Sequence, residues 1–301
     1  MLETLLDGLK RRDRRALSRL LTLAARGEEL HAIDAAFRGL TPPGSPRSPG
    51  AAVIAITGSA GVGKSTLVGK LIERARQDGK TIAVLACDPE SPITGGALLG
   101  DRFRMSPRDE DAVFIRSLAT PSGSEAIAPH LPILVRLLQA FSFDYILLET
   151  VGAGQADTAV SRHADRVVLL IQPETGDDLQ WEKAGVLEVA DVIVIHKGDL
   201  PGAERTLTQV KASLEMSTQR DIPALLVSSR TGAGIDELWQ IVKAAPRRRA
   251  QGAELAERLR DDFERRLRGL VREPAYLSLQ ESFGSGDEIA TLREAWRLLL
   301  R

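Results

Sequence analysis

With 301 residues and 43% hydrophobic content, the chain is long enough for one large α/β domain with appendages or for two small domains. Its 40 Lys and Arg against 41 Asp and Glu leave a net charge of −1, and with a pI near 6.5 nothing requires a nucleic-acid partner. A lone cysteine, Cys87, excludes an internal disulfide and fits a reducing compartment; the absence of a long apolar run predicts neither signal peptide nor membrane span, hence a cytoplasmic protein.

Leu5, Leu6 and Leu9, then Leu17, Leu20, Leu21 and Leu23, recur at helical spacing and predict a small helical preface. The stretch TPPGSPRSPG, residues 41–50, can sustain neither a helix nor a central strand and reads as a linker. It leads into the apolar run AAVIAIT and then GSAGVGKST, a strand, a phosphate-cradling loop and a helix start in that order. Glycines at Gly58, Gly61 and Gly63 let successive backbone N–H groups of Gly58, Ser59, Ala60, Gly61, Val62, Gly63 and Lys64 turn onto phosphate oxygens, and the helix adds its positive end. Lys64 then reaches the β/γ-phosphates, Ser65 offers a hydroxyl to Mg²⁺, and Thr66 opens a helix expected to end at Gly79. A nucleoside triphosphate is the implied ligand.

Short Val- and Ile-rich runs follow: TIAVLACD, DAVFIRSL, FDYILLET, ADRVVLLIQ, ADVIVIHK and PALLVSS. With helix-like or turn-rich sequence between most of them, they predict βαβ units around a largely parallel sheet covered on both faces. A nucleotide hydrolase needs carboxylates near Mg²⁺ at the carboxyl ends of such strands. Asp88 ends one run, Glu149 ends another, and Asp101 follows the loop SPITGGALLG. Asp88 and Glu149 could instead be strand-end caps, and Asp101 a plain surface-loop residue. Glu149-Thr150-Val151-Gly152 stands where DxxG is usual, so the Gly152 N–H is placed for the γ-phosphate.

The base is read from His196-Lys197-Gly198-Asp199. A carboxylate at Asp199 accepts from guanine N1–H and its amine, whereas adenine offers a lone pair and no amine there. Lys197 can lay its stem on the ring. His196 stands where the usual NKxD has asparagine, so His196→Asn is expected to tighten guanine binding modestly. Ser228-Ser229-Arg230 closes the next strand at a place suited to backbone contacts with the base, and TGAGIDEL starts a helix. The core is expected to end near Ala245; the arginines at 247–249 read as a solvated face, and two helical stretches follow outside the sheet.

The order of GSAGVGKS, VLACDPESPITGGALLGDRFRM, ETVGAGQAD, ETGDDLQWEKAGVLEVAD and HKGD resembles the MeaB/ArgK/MMAA family of G-protein chaperones for adenosylcobalamin-dependent acyl-CoA mutases. The matching motifs span about residues 51–245. The resemblance implies a P-loop GTPase of the signal-recognition/MinD-related class with a helical segment over 1–50, a GTPase core over 51–245 and a helical dimerisation arm over 246–301. It further implies a homodimer that binds GTP, GDP and Mg²⁺, hydrolyses GTP at a slow intrinsic rate that its partner stimulates, and gates delivery or repair of the mutase's cofactor. Methylmalonyl-CoA mutase, or a 2-hydroxyisobutyryl-, isobutyryl- or ethylmalonyl-CoA mutase, is the implied client. Residue by residue, Lys64 and Ser65 match the phosphate and metal positions, while Asp88, Asp101 and Glu149 match the acidic cluster. Gln155 could orient water or be a structural amide. Segment 174–180, ETGDDLQ, resembles the loop that addresses the mutase but departs from the common GAGDELQ, which leaves the client open.

No DxHxxG string occurs, so cobalamin is expected on the partner. A nucleotide-responsive scaffold that hardly hydrolyses is the alternative from another class. Nickel insertion fits poorly with 4 scattered His and 1 Cys, and a signal-recognition GTPase fits poorly with 3 Met. A small-substrate kinase is the most distant reading.

Overall fold

The computed structural model describes residues 2–40, 51–89, 112–120, 130–150, 160–173, 189–217 and 221–244. All belong to the first of two compact units, 1–247; the second, 248–301, and with it the expected dimerisation arm, lies outside the described residues. The elements in chain order are α1 (Leu2–Lys10), α2 (Arg14–Ala25), α3 (Leu30–Leu40), β1 (Ala52–Gly58), α4 (Lys64–Gln77), β2 (Ile82–Pro89), β3 (Val113–Thr120), α5 (Leu131–Ala140), β4 (Tyr145–Glu149), β5 (Arg166–Ile171), β6 (Val192–His196), α6 (Ala203–Ser217), β7 (Ala224–Val227) and α7 (Ile235–Ala244).

The seven strands form one parallel sheet in the order β3-β2-β4-β1-β5-β6-β7. Each inner strand is buried on both faces, which is why the runs are continuously apolar rather than alternating. Alternate residues nevertheless go to different cores. Val53 and Ala55 of β1 join Ile146, Leu148 and Val167 against α1, α2 and α5, whereas Ile54 and Ile56 join Leu147, Val168 and Val194 against α4 and α7. The predicted preface thus shares its core with the sheet: Leu17, Leu20 and Leu21 are fully buried, and each such leucine contributes about 1.5–3 kcal/mol. Helix α6 covers the β5–β6 end through Val210 and Leu214.

Helix α4 ends where the sequence places its stop. Gly79 takes φ +68°, its N–H reaches Arg76 O at 2.9 Å, and Lys80 N–H reaches Ala75 O at 2.9 Å, so two of the last-turn carbonyls are satisfied. Asp78, at the same end, accepts from Trp239 Nε1 and Lys243 Nζ, each at 2.8 Å. Fully buried Trp239 also packs edge-on against Tyr145 of β4 at 4.9 Å, so the residue that ties α7 to the end of α4 through Asp78 also ties it to the sheet.

Three aspartates set the sheet's register from its amino edge. Asp144, Asp165 and Asp191 each precede a strand by one residue and accept from a backbone N–H of the neighbouring strand or its approach: Thr81, Val53 and Val167, each at 2.8 Å. In each case the aspartate's own N–H returns a bond to the same neighbour. A one-residue slip would break all of these pairs at once. The carboxyl edge is thereby left to glycines and to a different set of polar side chains.

Candidate functional site

Strand β1 lies at the topological switch, with β4, β2 and β3 on one side and β5, β6 and β7 on the other, and a crevice at the carboxyl ends of the strands is the expected ligand position in such a sheet. Gly58 ends β1 at φ +140°; a Cβ there would meet Leu170 O at 2.4 Å, so only glycine lets the chain leave between β1 and β5. Gly61 and Gly63 are also left-handed, at φ +76° and +102°. Gly63 is the N-cap of α4 and has no side chain with which to cap it, leaving the first-turn N–H groups of the helix for an anion. Lys64 is buried, and its ammonium donates to Gly58 O at 2.9 Å and Ser59 O at 3.0 Å, curled over the loop it belongs to.

Because β4 pairs directly with β1, its last residue falls beside the helix start. Ser65 Oγ donates to Glu149 Oε1 at 2.6 Å. One residue on, Thr150 Oγ1 donates to Thr57 Oγ1 at 3.1 Å, a second tie between the two strand ends. A hydroxyl and a carboxylate are hard oxygen donors of the kind Mg²⁺ takes, so the pair fits the ion. No group of three His, Cys, Asp or Glu side chains suited to a metal occurs among the described residues. Asp88 falls at the carboxyl end of β2, opposite Ala119 of β3; its side chain, together with Asp101, Gly152, Gln155 and segment 174–180, lies outside the described residues.

The next wall comes from β6 and β7. His196 ends β6 and is 3% exposed; its Nδ1 lies 2.7 Å from Val62 O and its Nε2 2.8 Å from Ser229 Oγ. A carbonyl can only accept, so Nδ1 carries the proton and Nε2 accepts from the serine. The ring lies against Gly63, where a Cβ would stand 2.5 Å from Cε1. Burial holds the His196 pKa below its ordinary value of 6.5, with Lys197 adding to the effect, while the Val62 hydrogen bond and Asp199 oppose it. With the folded value depressed, the unfolded chain binds the proton first, so stability is full above pH 6.5 and is lost as pH falls through 6.5 towards the folded value. Urea titrations from pH 7.5 to 5 should show a steeper loss for wild type than for His196→Asn; parallel curves would contradict the assignment.

Lys197 takes φ +56° and sends Nζ to Gln172 Oε1 at 2.8 Å and Gly61 O at 3.2 Å. Gln172 was not among the sequence candidates; its only signal was its place just past β5, next to β1. Asp199 is held from two sides: Ser228 Oγ donates to Oδ1, and Arg230 Nε and Nη2 donate to Oδ2 at 2.8 and 2.7 Å. The Ser228 hydrogen bond first, and Arg230 after it, keep the carboxyl below its ordinary range, so it is ionised at neutral pH. Ser228, Ser229 and Arg230 are therefore gathered with His196, Lys197 and Asp199, as their positions in the sequence predict.

A seven-stranded parallel sheet with a glycine loop, lysine and hydroxyl at its switch point defines a P-loop nucleotide hydrolase of the α/β class. The family profile described as "Methylmalonyl Co-A mutase-associated GTPase MeaB" matches residues 17–282, and the chain belongs to this family of GTPases. A protein of Pyrococcus horikoshii provisionally named a GTPase is 36% identical over 298 residues, covering 97% of this chain and 92% of its own. A fused isobutyryl-CoA mutase of Cupriavidus metallidurans is 36% identical over 224 residues, which are 72% of this chain but 20% of that longer protein. The crystal structure of a LAO/AO transport system kinase shares the fold, with a TM-score of 0.63 at 24% identity over 100% of this chain and 98% of that one. Among the described residues no helix is long and apolar enough to cross a membrane.

Proposed function

We propose that the protein spends GTP to gate adenosylcobalamin on a cobalamin-dependent acyl-CoA mutase, delivering or protecting the cofactor, and that it acts as a cytoplasmic homodimer through its C-terminal arm. The observation that carries the nucleotide half is the convergence of the loop from Gly58 to Ser65, Glu149 and the His196–Asp199 turn on one sheet edge. The partner half rests on relatives from Cupriavidus metallidurans and Nocardia farcinica, each named a fused isobutyryl-CoA mutase, in which a segment like this chain is part of one polypeptide.

In this reading Lys64 exchanges its two loop carbonyls for the β/γ-phosphates, and the N–H groups of the loop and of Thr66 hold their oxygens. Ser65 and Glu149, with Asp88 and Asp101, are the residues that would hold Mg²⁺, which when bound supplies neutralising charge beside the phosphates. Gly152 senses the γ-phosphate and Gln155 orients the water. Asp199 selects guanine, and Lys197 supports the base.

Single-turnover GTP hydrolysis with and without an acyl-CoA mutase tests the whole. A mutase should raise turnover, and charge-removing changes at both Asp177 and Asp178 should abolish the stimulation while leaving the intrinsic rate nearly intact. No stimulation by any host mutase would leave a GTPase with some other partner, and stimulation that survives the double change would remove segment 174–180 from the contact.

A further inference from the structure

We infer that His196 selects guanine from beneath the site, by bracing the base loop on the phosphate loop, and that it leaves the N7 edge of the base unread. This rests on the guanine reading of Asp199.

The chemistry follows from counting donors. An asparagine at this position has two amide N–H groups, so after serving a loop carbonyl it still has one to offer the base. Guanine presents N7 as an acceptor on the edge opposite its N1–H. An imidazole has only two nitrogens, and in this protein both are taken: Nδ1–H by Val62 O at 2.7 Å and Nε2 by Ser229 Oγ at 2.8 Å. At 3% exposure, with Gly63 against one edge, the ring has no free polar atom to turn towards a ligand. Lys197 does not stand in for it, since its ammonium is directed to Gln172 and Gly61.

What the ring does instead is mechanical. Ser229 lies between Ser228 and Arg230, the two residues whose side chains hold Asp199. By accepting from Ser229, His196 fixes that loop to Val62 of the phosphate loop, and through it the direction in which Asp199 presents its carboxylate. His196 is a positioning residue, and its contribution should appear as base discrimination without N7 dependence.

Calorimetry on the full chain with GDP, 7-deaza-GDP and ADP separates the possibilities. GDP and 7-deaza-GDP should bind within about twofold of each other, because neither His196 nor Lys197 offers the replaced nitrogen a donor, while ADP binds at least about tenfold more weakly. A loss of about fivefold or more on 7-deaza-GDP, with ADP still weak, overturns the inference and leaves the Asp199 reading standing. ADP binding as tightly as GDP overturns the Asp199 reading itself. Ser229→Ala removes the far end of the brace without touching the ring; it should lower the GDP-to-ADP ratio about fivefold and leave the 7-deaza ratio near one. Equal losses for GDP and ADP would mean a merely structural contact and would overturn the positioning role.

Discussion

Lys64→Ala should lower GTP turnover at least about a hundredfold, because it deletes the charged group placed over the loop where the β/γ-phosphates sit. The buried ammonium rests on Gly58 O and Ser59 O, so the side chain is already gathered at the loop and little ordering remains to be done on binding. Alanine leaves those carbonyls on a loop whose course is set by its glycines, so the fold should persist while chemistry is lost. Single-turnover hydrolysis alongside thermal unfolding separates the two effects. Turnover near wild type would remove Lys64 from the site; a lost fold would make it a structural lysine.

Asp199→Asn should lower GDP affinity at least about tenfold and bring binding of xanthosine diphosphate in its place. The carboxylate offers only acceptors, matching the N1–H and amine of guanine, whereas the amide carries one acceptor and one donor group. Xanthine has a carbonyl where guanine has the amine, so the donor of the amide then faces an acceptor, and a mispaired buried edge costs about 1–3 kcal/mol. Ser228 and Arg230 hold the native carboxylate in one orientation through different oxygens; in the amide the single oxygen can keep Arg230, while the Ser228 hydroxyl can turn to accept from the amide N–H₂. Calorimetry with GDP, ADP and xanthosine diphosphate checks this. Undiminished GDP affinity would place base recognition elsewhere.

The acidic residues show where sequence reasoning reaches its limit. Glu149 at a strand end could have been either a site carboxylate or a cap. In the fold the caps are other residues, Asp144, Asp165 and Asp191, at the amino edge of the sheet, while Glu149 lies at the opposite edge beside Ser65. Which edge an acid occupies depends on strand direction, and strand direction follows once the runs are taken as parallel. His196 is the reverse case. Read one residue at a time, it looks like an imperfect asparagine, and His196→Asn looks like an improvement. The packing makes it a group that joins Val62 to Ser229, a span that asparagine is too short to bridge.

The phosphate loop, the parallel strands, the helix stop at Gly79 and the grouping of Asp199 with Ser228 and Arg230 were legible in the chain alone, since each is carried by neighbours in sequence or by strand ends that topology must align. What only the tertiary structure decided are contacts between segments far apart in the chain: the Ser65–Glu149 pair, Gln172 under Lys197, the helical preface sharing its core with the sheet, and the imidazole between two loops. The physical reason is the same throughout. Backbone conformation and hydrophobic period are local and leave their mark on adjacent residues, whereas the partner of a buried polar side chain is chosen by which strands pair and how closely their ends pack.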